Sequence, residues 1–301
     1  MSEPSTTPHS QNPRILLHLT AKCYIIVVEK IKSLGEDVRM FVKSNILRSP
    51  HAFATRRGGV SALEHTKSLN LAFGRGDEDG VVLNNLVIFA QNVGFEADSV
   101  VSHPQIHSDK IITVTAENRG EGYFIREEIC GCDGYITRER GVTLGIKTAD
   151  CVPILFEAEK AGEIIAVGAT HAGWRGTVAD IAGKCIERLC SEFGADLSGI
   201  RVAIGPCIRA CCYEVSRDIY DAVREGLGEE VAERFVIMAD KDGKYTCDLA
   251  CINRELILRR GVLAENIEII EECTCCSPEK FFSHRYSGGH RGTMLNVIFI
   301  G

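Results

Sequence analysis

The chain has 301 residues, of which 45% are hydrophobic, and a formal net charge of −7. That balance argues against a general affinity for nucleic acid or an anionic membrane, and no apolar run approaches the roughly 20 residues that span a bilayer. Leu16–Val28 is interrupted by His18, Lys22 and Cys23 and precedes no cleavage-like site. It therefore does not read as a signal peptide. The expected compartment is the cytoplasm, where the 14 cysteines would be reduced thiols rather than a disulfide framework.

In chain order, residues 1–13 are polar, carry three prolines and read as a tail. Residues 14–50 read as an N-terminal extension, with a strand and short helix over Ile15–Lys32 and a strand over Arg39–Val42. His51–Thr55 opens the main body, residues 51–301, as a strand. TRRGGVS at 55–61 then makes a tight turn, with Arg56 and Arg57 beside the paired glycines. An arginine there can present its fork to phosphate or carboxylate, or can be an ordinary loop cation. Residues 68–79 read as a loop. Apolar positions 82, 83, 86, 90 and 93 predict a helix over Val81–Val93, stopped by Gly94. Val100–His107 reads as a short strand that Pro104 breaks, leaving His107 at a loop-like end. Strands over Ile111–Thr115, Gly134–Thr137 and Val142–Lys147 follow, with a polar loop over 116–132.

The stretch 147–177, KTADCVPILFEAEKAGEIIAVGATHAGWRGT, is the centre of the chain. If Val152–Phe156 and Ile164–Thr170 pair antiparallel, Cys151 and His171 become neighbours at one edge of a sheet. A thiolate and an imidazole held together suit zinc or copper; two unrelated buried side chains would leave the same pattern. The turn AGWRG then enters a helix with an apolar stripe at 178, 181, 185, 186, 189 and 193, capped by Thr177 or Gly176 and ended by Gly194. Such a turn offers free backbone N–H groups to an anion, and Arg175 adds a charge.

Arg201–Gly205 reads as a strand and PCIRACCYEV as a cysteine-bearing loop. Helices follow from Ser216 to Leu227, over Glu229–Phe235, and over Leu249–Arg260 with Asp248 as cap. Ile267–Ile270 is a strand, and residues 273–293 form a loop carrying His284, Arg285, His290 and Arg291. Met294–Ile300 is a buried strand. Strands and helices interleave throughout, which predicts an α/β or α+β class: a single compact layered domain, mixed β-sheets with helices packed outside. The cysteines cluster as Cys130 and Cys132; Cys207, Cys211 and Cys212; Cys247 and Cys251; and Cys273, Cys275 and Cys276. No paired C-x₂-C set results, so buried thiols are the default reading and a second thiolate-rich metal site the alternative.

Some chemistries fit poorly. The nine histidines include no H-x-H pair, against a multicopper oxidase. Neither H-x-E nor P-C-x-x-C occurs, against a nucleobase deaminase. A Walker loop and a G-x-G-x-x-G fingerprint are also absent. In contrast, TRRGGVS (55–61), SLNL (68–71), PQIH (104–107), DGYIT (133–137), TADCVPILF (148–156), HAGWRGT (171–177), GPCI (205–208), CCYEV (211–215) and FFSHR (281–285) occur in this order. Together they resemble the YfiH family, also called the laccase-domain or multicopper polyphenol oxidase family.

The resemblance covers roughly residues 51–300. It implies a compact layered fold and one zinc held by His107, Cys151 and His171, with copper as the other metal. It implies small-molecule partners: adenosine, inosine and methylthioadenosine, split with phosphate, and adenosine deaminated as well. Zinc on three protein ligands keeps a position for water. Phosphate then needs its own holders, for which Arg56, Arg285 and the Gly173–Thr177 turn, with Arg175 and Gly176, are the candidates. Asp150 adjoins a ligand but points away from it if the backbone is extended; orienting a histidine or moving a proton are its candidate roles. Many members carry two adjacent arginines after F-F-S-x, whereas here Tyr286 follows Arg285 and Arg291-Gly292-Thr293 comes later. A copper phenol oxidase, a zinc or redox sensor, and a hydrolase using Cys151 and His171 as a dyad are the competing functions. The oligomeric state stays open.

Overall fold

A computed structural model of the chain describes residues 39–239 and 243–301; the expected tail and the elements expected over Ile15–Lys32 lie outside them. The elements in order are β1 (Phe41–Val42), β2 (His51–Ala54), α1 (Asp79–Val93), β3 (Val100–Val101), β4 (Ile111–Thr113), β5 (Gly134–Thr137), β6 (Thr143–Thr148), β7 (Val152–Lys160), β8 (Glu163–Ala172), α2 (Trp174–Val178) and α3 (Ile181–Phe193). Then come β9 (Ile200–Ile204), β10 (Glu214–Val215), α4 (Arg217–Leu227), α5 (Glu229–Phe235), β11 (Val236–Met238), β12 (Tyr245–Cys247), α6 (Leu249–Arg259), β13 (Ile267–Ile269), α7 (His284–Ser287) and β14 (Met294–Phe299). Four short 3₁₀ turns accompany them among the described residues.

Alternation along the strands sets the layers. In β7, Val152, Ile154, Phe156 and Ala158 join one core, while Leu155 joins another. In β2, Phe53 faces that same second core, while Ala52 and Ala54 face a third. The second core therefore lies between two sheets: β13-β9-β7-β8-β5-β4 and β1-β2-β14-β6-β3. Residues of α1 cover the outer face of the five-stranded sheet. Residues of α3, α4, α5 and α6 cover the outer face of the six-stranded one. Both sheets mix parallel and antiparallel pairs, as expected for this class. Each fully buried Leu, Ile or Phe contributes about 1.5–3 kcal/mol relative to exposure, so three cores specify the layer order strongly. No helix among the described residues is long and apolar enough to cross a membrane.

Four local expectations are corrected. The helix after the glycine turn is two helices: α2 starts from Gly173, and Asp180 opens α3. Asp180 holds a left-handed φ of 55° and accepts the Gly183 N–H at 3.0 Å, which breaks the helix and caps its second part. Thr177 and Gly176 are therefore not the cap, and the Thr177 hydroxyl instead accepts from Asn253 Nδ2 at 2.9 Å. The strand expected over Val100–His107 pairs only at Val100–Val101. The small sheet β10-β12-β11 was not anticipated; strands of two or three residues are too short to show a period. Inside the expected loop 273–293 lies the short α7. The strand expected over Arg39–Val42 forms at Phe41–Val42 and pairs with Ala54 and Phe53.

Gly205, directly after β9, lies against β2: an added Cβ would lie 2.2 Å from the ring of the fully buried Phe53. Gly205→Ala is expected to lower stability by about 1–3 kcal/mol through overpacking. A lowered midpoint in denaturant unfolding, with unchanged slope, checks this.

Candidate metal centre

The hairpin β7–β8 pairs Val152 with Ala172 and Pro153 with His171. Antiparallel pairing thus puts Cys151 beside His171, as the two apolar runs predicted. They lie at the strand ends in the middle of the six-stranded sheet, not at its lateral edge. On the other side, β5 pairs Gly134 with Thr170, which sets Asp133 next to His171. The third side chain, His107, comes from the loop after β3 and has a left-handed φ of 58°.

One ligand atom each from His107, Cys151 and His171 lies within 4.8 Å of the others. The imidazole centroids are 4.8 Å apart and the rings meet edge to face, at 73°. A Cβ at Gly173 would stand 2.9 Å from His107 Nδ1 and 3.4 Å from Cys151 Sγ. Glycine in HAGWRG is thus required so that the backbone can pass this close to two donors. Two imidazoles and a thiolate are a donor set for a borderline-soft cation, so these residues fit the metal that the resemblance implies.

Asp133 arranges the trio. Its carboxylate is fully buried. Oδ1 accepts from His171 Nδ1 at 2.9 Å and from the His107 N–H at 3.0 Å. Oδ2 accepts from the N–H groups of Ile106 and Ser108 and from the Ser108 hydroxyl. A carboxylate accepts, so His171 carries its proton on Nδ1 and leaves Nε2 to ligate. Burial pushes the Asp133 pKa up, but the donors from His171 and Ser108 bring it below its ordinary value. Burial likewise opposes the His171 imidazolium, yet the Cys151 sulfur and Asp133 outweigh it and raise the pKa to about 9. Burial and the charge of His171 lower His107.

The trio stands between two cavities. The first, about 390 Å³, includes all three side chains together with Phe73, Arg75, Arg126, Lys147 and Arg291. Burial, then the charge of Arg75, lowers Lys147 to about 8 and Arg291 to about 10. Arg291 Nε is buried without a hydrogen-bond partner. The second cavity, about 310 Å³, shares His107 and Cys151 and is walled by Asp150, Trp174, Arg175, Ile208 and Tyr213.

The other residues singled out in the sequence fall elsewhere. Arg56 donates to the carbonyls of Lys67, Pro278 and Glu64 and lies over the Phe282 ring, beside a separate cavity. Arg285 donates to the carbonyls of Cys212 and Glu214 and lies over Tyr213. Gly176 lies under the Ser108 carbonyl, within the five-residue helix α2. Arg175 does reach a cavity wall, stacked on Trp174. Asp150 is not extended; its φ is 110°. Its oxygens accept from the Thr274 hydroxyl at 2.6 Å and the Arg285 N–H at 2.7 Å, so the carboxylate on a ligand histidine is Asp133 instead. Asp133, Arg75 and Lys147 had no role in the sequence reading. The signal for Asp133 was its place immediately before a strand that pairs with the His171 strand.

The profile of a family described as "Multi-copper polyphenol oxidoreductase laccase" matches residues 50–301. The purine nucleoside phosphorylase YlmD of Geobacillus stearothermophilus is 38% identical over 245 residues, 81% of this chain and 87% of the relative. The adenosine deaminase RL5 of an unknown prokaryotic organism is 33% identical over 260 residues, 86% of this chain and 96% of the relative. The crystal structure of YlmD from G. stearothermophilus superposes with a TM-score of 0.79 at 34% identity, covering 87% of this chain and 98% of that one. That of YfiH from Bacillus licheniformis gives 0.78 at 31%, covering 83% and 92%. With the ordered motifs, the layered sheets and a match spanning the whole described body beyond residue 50, this chain belongs to the laccase-domain (YfiH/YlmD) family.

Proposed function

We propose that the protein is a zinc-dependent purine nucleoside phosphorylase that also deaminates adenosine. The observation that carries this reading is the convergence of Arg75, Lys147 and Arg291 on the cavity that contains the trio. Three cations at a metal-type donor set suit an anionic co-substrate, and a phenol oxidase has no use for them. The names of the relatives point to the same two reactions.

His107, Cys151 and His171 would hold the zinc, which when bound supplies Lewis acidity and lowers the pKa of water to about 7. Asp133 keeps the His171 ring in one orientation and one tautomer. Arg75, Lys147 and Arg291 bind phosphate and hold it for attack on the sugar C1′, where proximity is the main contribution of the protein. The second cavity takes the purine between Trp174 and Tyr213, so the glycosidic bond crosses the trio where the two cavities meet. Asp150 and the Tyr213 hydroxyl, which burial keeps protonated, are the groups on that wall able to move a proton to or from the base.

Three outcomes are expected. Protein incubated with adenosine and phosphate should yield adenine, ribose 1-phosphate and inosine by mass spectrometry, and Cys151→Ala should reduce all three to background. Equal product from Cys151→Ala rejects the reading, and oxygen uptake with a phenol after copper loading would favour the oxidase instead. Asp133→Asn and Gly173→Ala should each weaken zinc affinity roughly 10–100-fold, read by chelator competition. Lys147 is protonated below its pKa of about 8 and neutral above it. The KM for phosphate should therefore rise as pH passes through about 8. Lys147→Met should have a high KM at pH 7 and no inflection there, with kcat little changed.

A further inference from the structure

Four cysteines outside the metal centre form a second constellation. Cys211 and Cys212 lie in the loop between β9 and β10, and Cys273 and Cys276 in the loop after β13. One sulfur from each lies within 4.8 Å of the other three. Cys276 Sγ is 3.5 Å from Cys211 Sγ and 3.3 Å from Cys212 Sγ. A tetrahedral zinc with Zn–S bonds of about 2.3 Å sets its sulfurs about 3.8 Å apart. We propose that Cys211, Cys212, Cys273 and Cys276 form a tetrathiolate zinc site that locks these two loops together.

The backbone is already shaped for it. Cys207 and Cys273 form a β-bridge between the loops, and the Thr274 N–H donates to the Cys207 carbonyl at 3.0 Å. Cys212 and Tyr213 N–H both donate to the Arg209 carbonyl at 2.9 Å, fixing the turn that presents the adjacent pair. Cys273 and Cys276 have C-x-x-C spacing, and the N–H groups of Arg209, Cys276 and Cys275 point at Cys273 Sγ. Such donors orient a ligating thiolate and offset its negative charge.

The competing explanations do less well. Cys185, Cys207 and Cys247 are buried in the core and behave as small apolar side chains. Cys211 and Cys276 are exposed, and Cys212 and Cys273 half-buried, so core packing does not account for these four. A disulfide would pair Cys276 with one neighbour only, whereas it stands nearly equidistant from two. Four protein ligands also close the site, which makes it structural rather than catalytic. Its effect reaches the other centre through Asp150, which accepts from Thr274 and Arg285, while Arg285 donates to the Cys212 and Glu214 carbonyls. The ion would thus brace the wall made by Ile208 and Tyr213.

Metal analysis of the purified full-length chain tests this. About two zinc ions per chain are expected. The double variant Cys211→Ser/Cys276→Ser should keep about one. Cys151→Ala should also keep about one, and its cobalt-substituted form should retain the thiolate-to-metal charge-transfer bands of a four-sulfur site, which the double variant should lose. If the double variant does not fold, alkylation mapping on unmutated protein decides. The four cysteines should resist alkylation until a chelator is added. One zinc per chain that Cys151→Ala removes, free alkylation of all four cysteines, or a disulfide among them would each overturn the proposal.

Discussion

A single buried carboxylate carries the arrangement of the candidate metal centre. Asp133 would be costly to bury alone, since an ion leaving water pays a penalty of several kcal/mol even after relaxation. Five donors compensate it: three consecutive N–H groups of residues 106–108, the Ser108 hydroxyl and His171 Nδ1. Those same bonds hold the backbone of His107 at positive φ, where a non-glycine residue needs outside support. One side chain therefore fixes both histidines of the trio, which come from different parts of the chain. Its own main chain completes the frame, because its carbonyl accepts the His171 N–H at 2.7 Å.

Charge is distributed unevenly around this frame. The net balance is acidic, yet the larger cavity gathers Arg75, Arg126, Lys147 and Arg291. Burial, and then repulsion from Arg75, hold Lys147 and Arg291 below their ordinary pKa values, which means the folded state bears an electrostatic cost there. Arg126 is partly relieved by Asp79 at 2.8 Å and by stacking on Phe73. No such relief reaches Arg291 Nε. Strain of this kind is expected where a site is shaped for a ligand rather than for stability.

Much of the scaffold was legible in the sequence because periodicity and register are local properties. The runs Val152–Phe156 and Ile164–Thr170 announced paired strands, and pairing alone brought Cys151 to His171. The layered class followed from interleaved patterns. What stayed hidden was set by contacts between distant segments. Nothing near Asp133 in sequence marks it as the partner of residues 106–108, and Lys147 reads as an ordinary strand lysine until the loop of Ser102 covers it, accepting from its Nζ at 3.0 Å. The same blindness misplaces the helix cap: Asp180 falls between the stripe positions 178 and 181, and Arg260, far along the chain, holds it where the helix breaks. Arg56 and Arg285, also candidates for holding phosphate, direct their donors at backbone carbonyls.

Asp150 shows how the two sides of the centre are joined. Its backbone, at φ 110°, costs on the order of 1–3 kcal/mol where nothing supports it. Support comes from three directions: the Ile208 N–H donates to its carbonyl at 2.9 Å, and Thr274 and Arg285 donate to its carboxylate. The strained turn is therefore held by the two cysteine-bearing loops and by the segment leading into β14. Cys151 follows it directly, so the position of the trio's thiol depends on these loops as well as on the β7–β8 hairpin. Tied through Asp133 on one flank and Asp150 on the other, the trio joins the loop after β3 and the β7–β8 hairpin to the two cysteine-bearing loops.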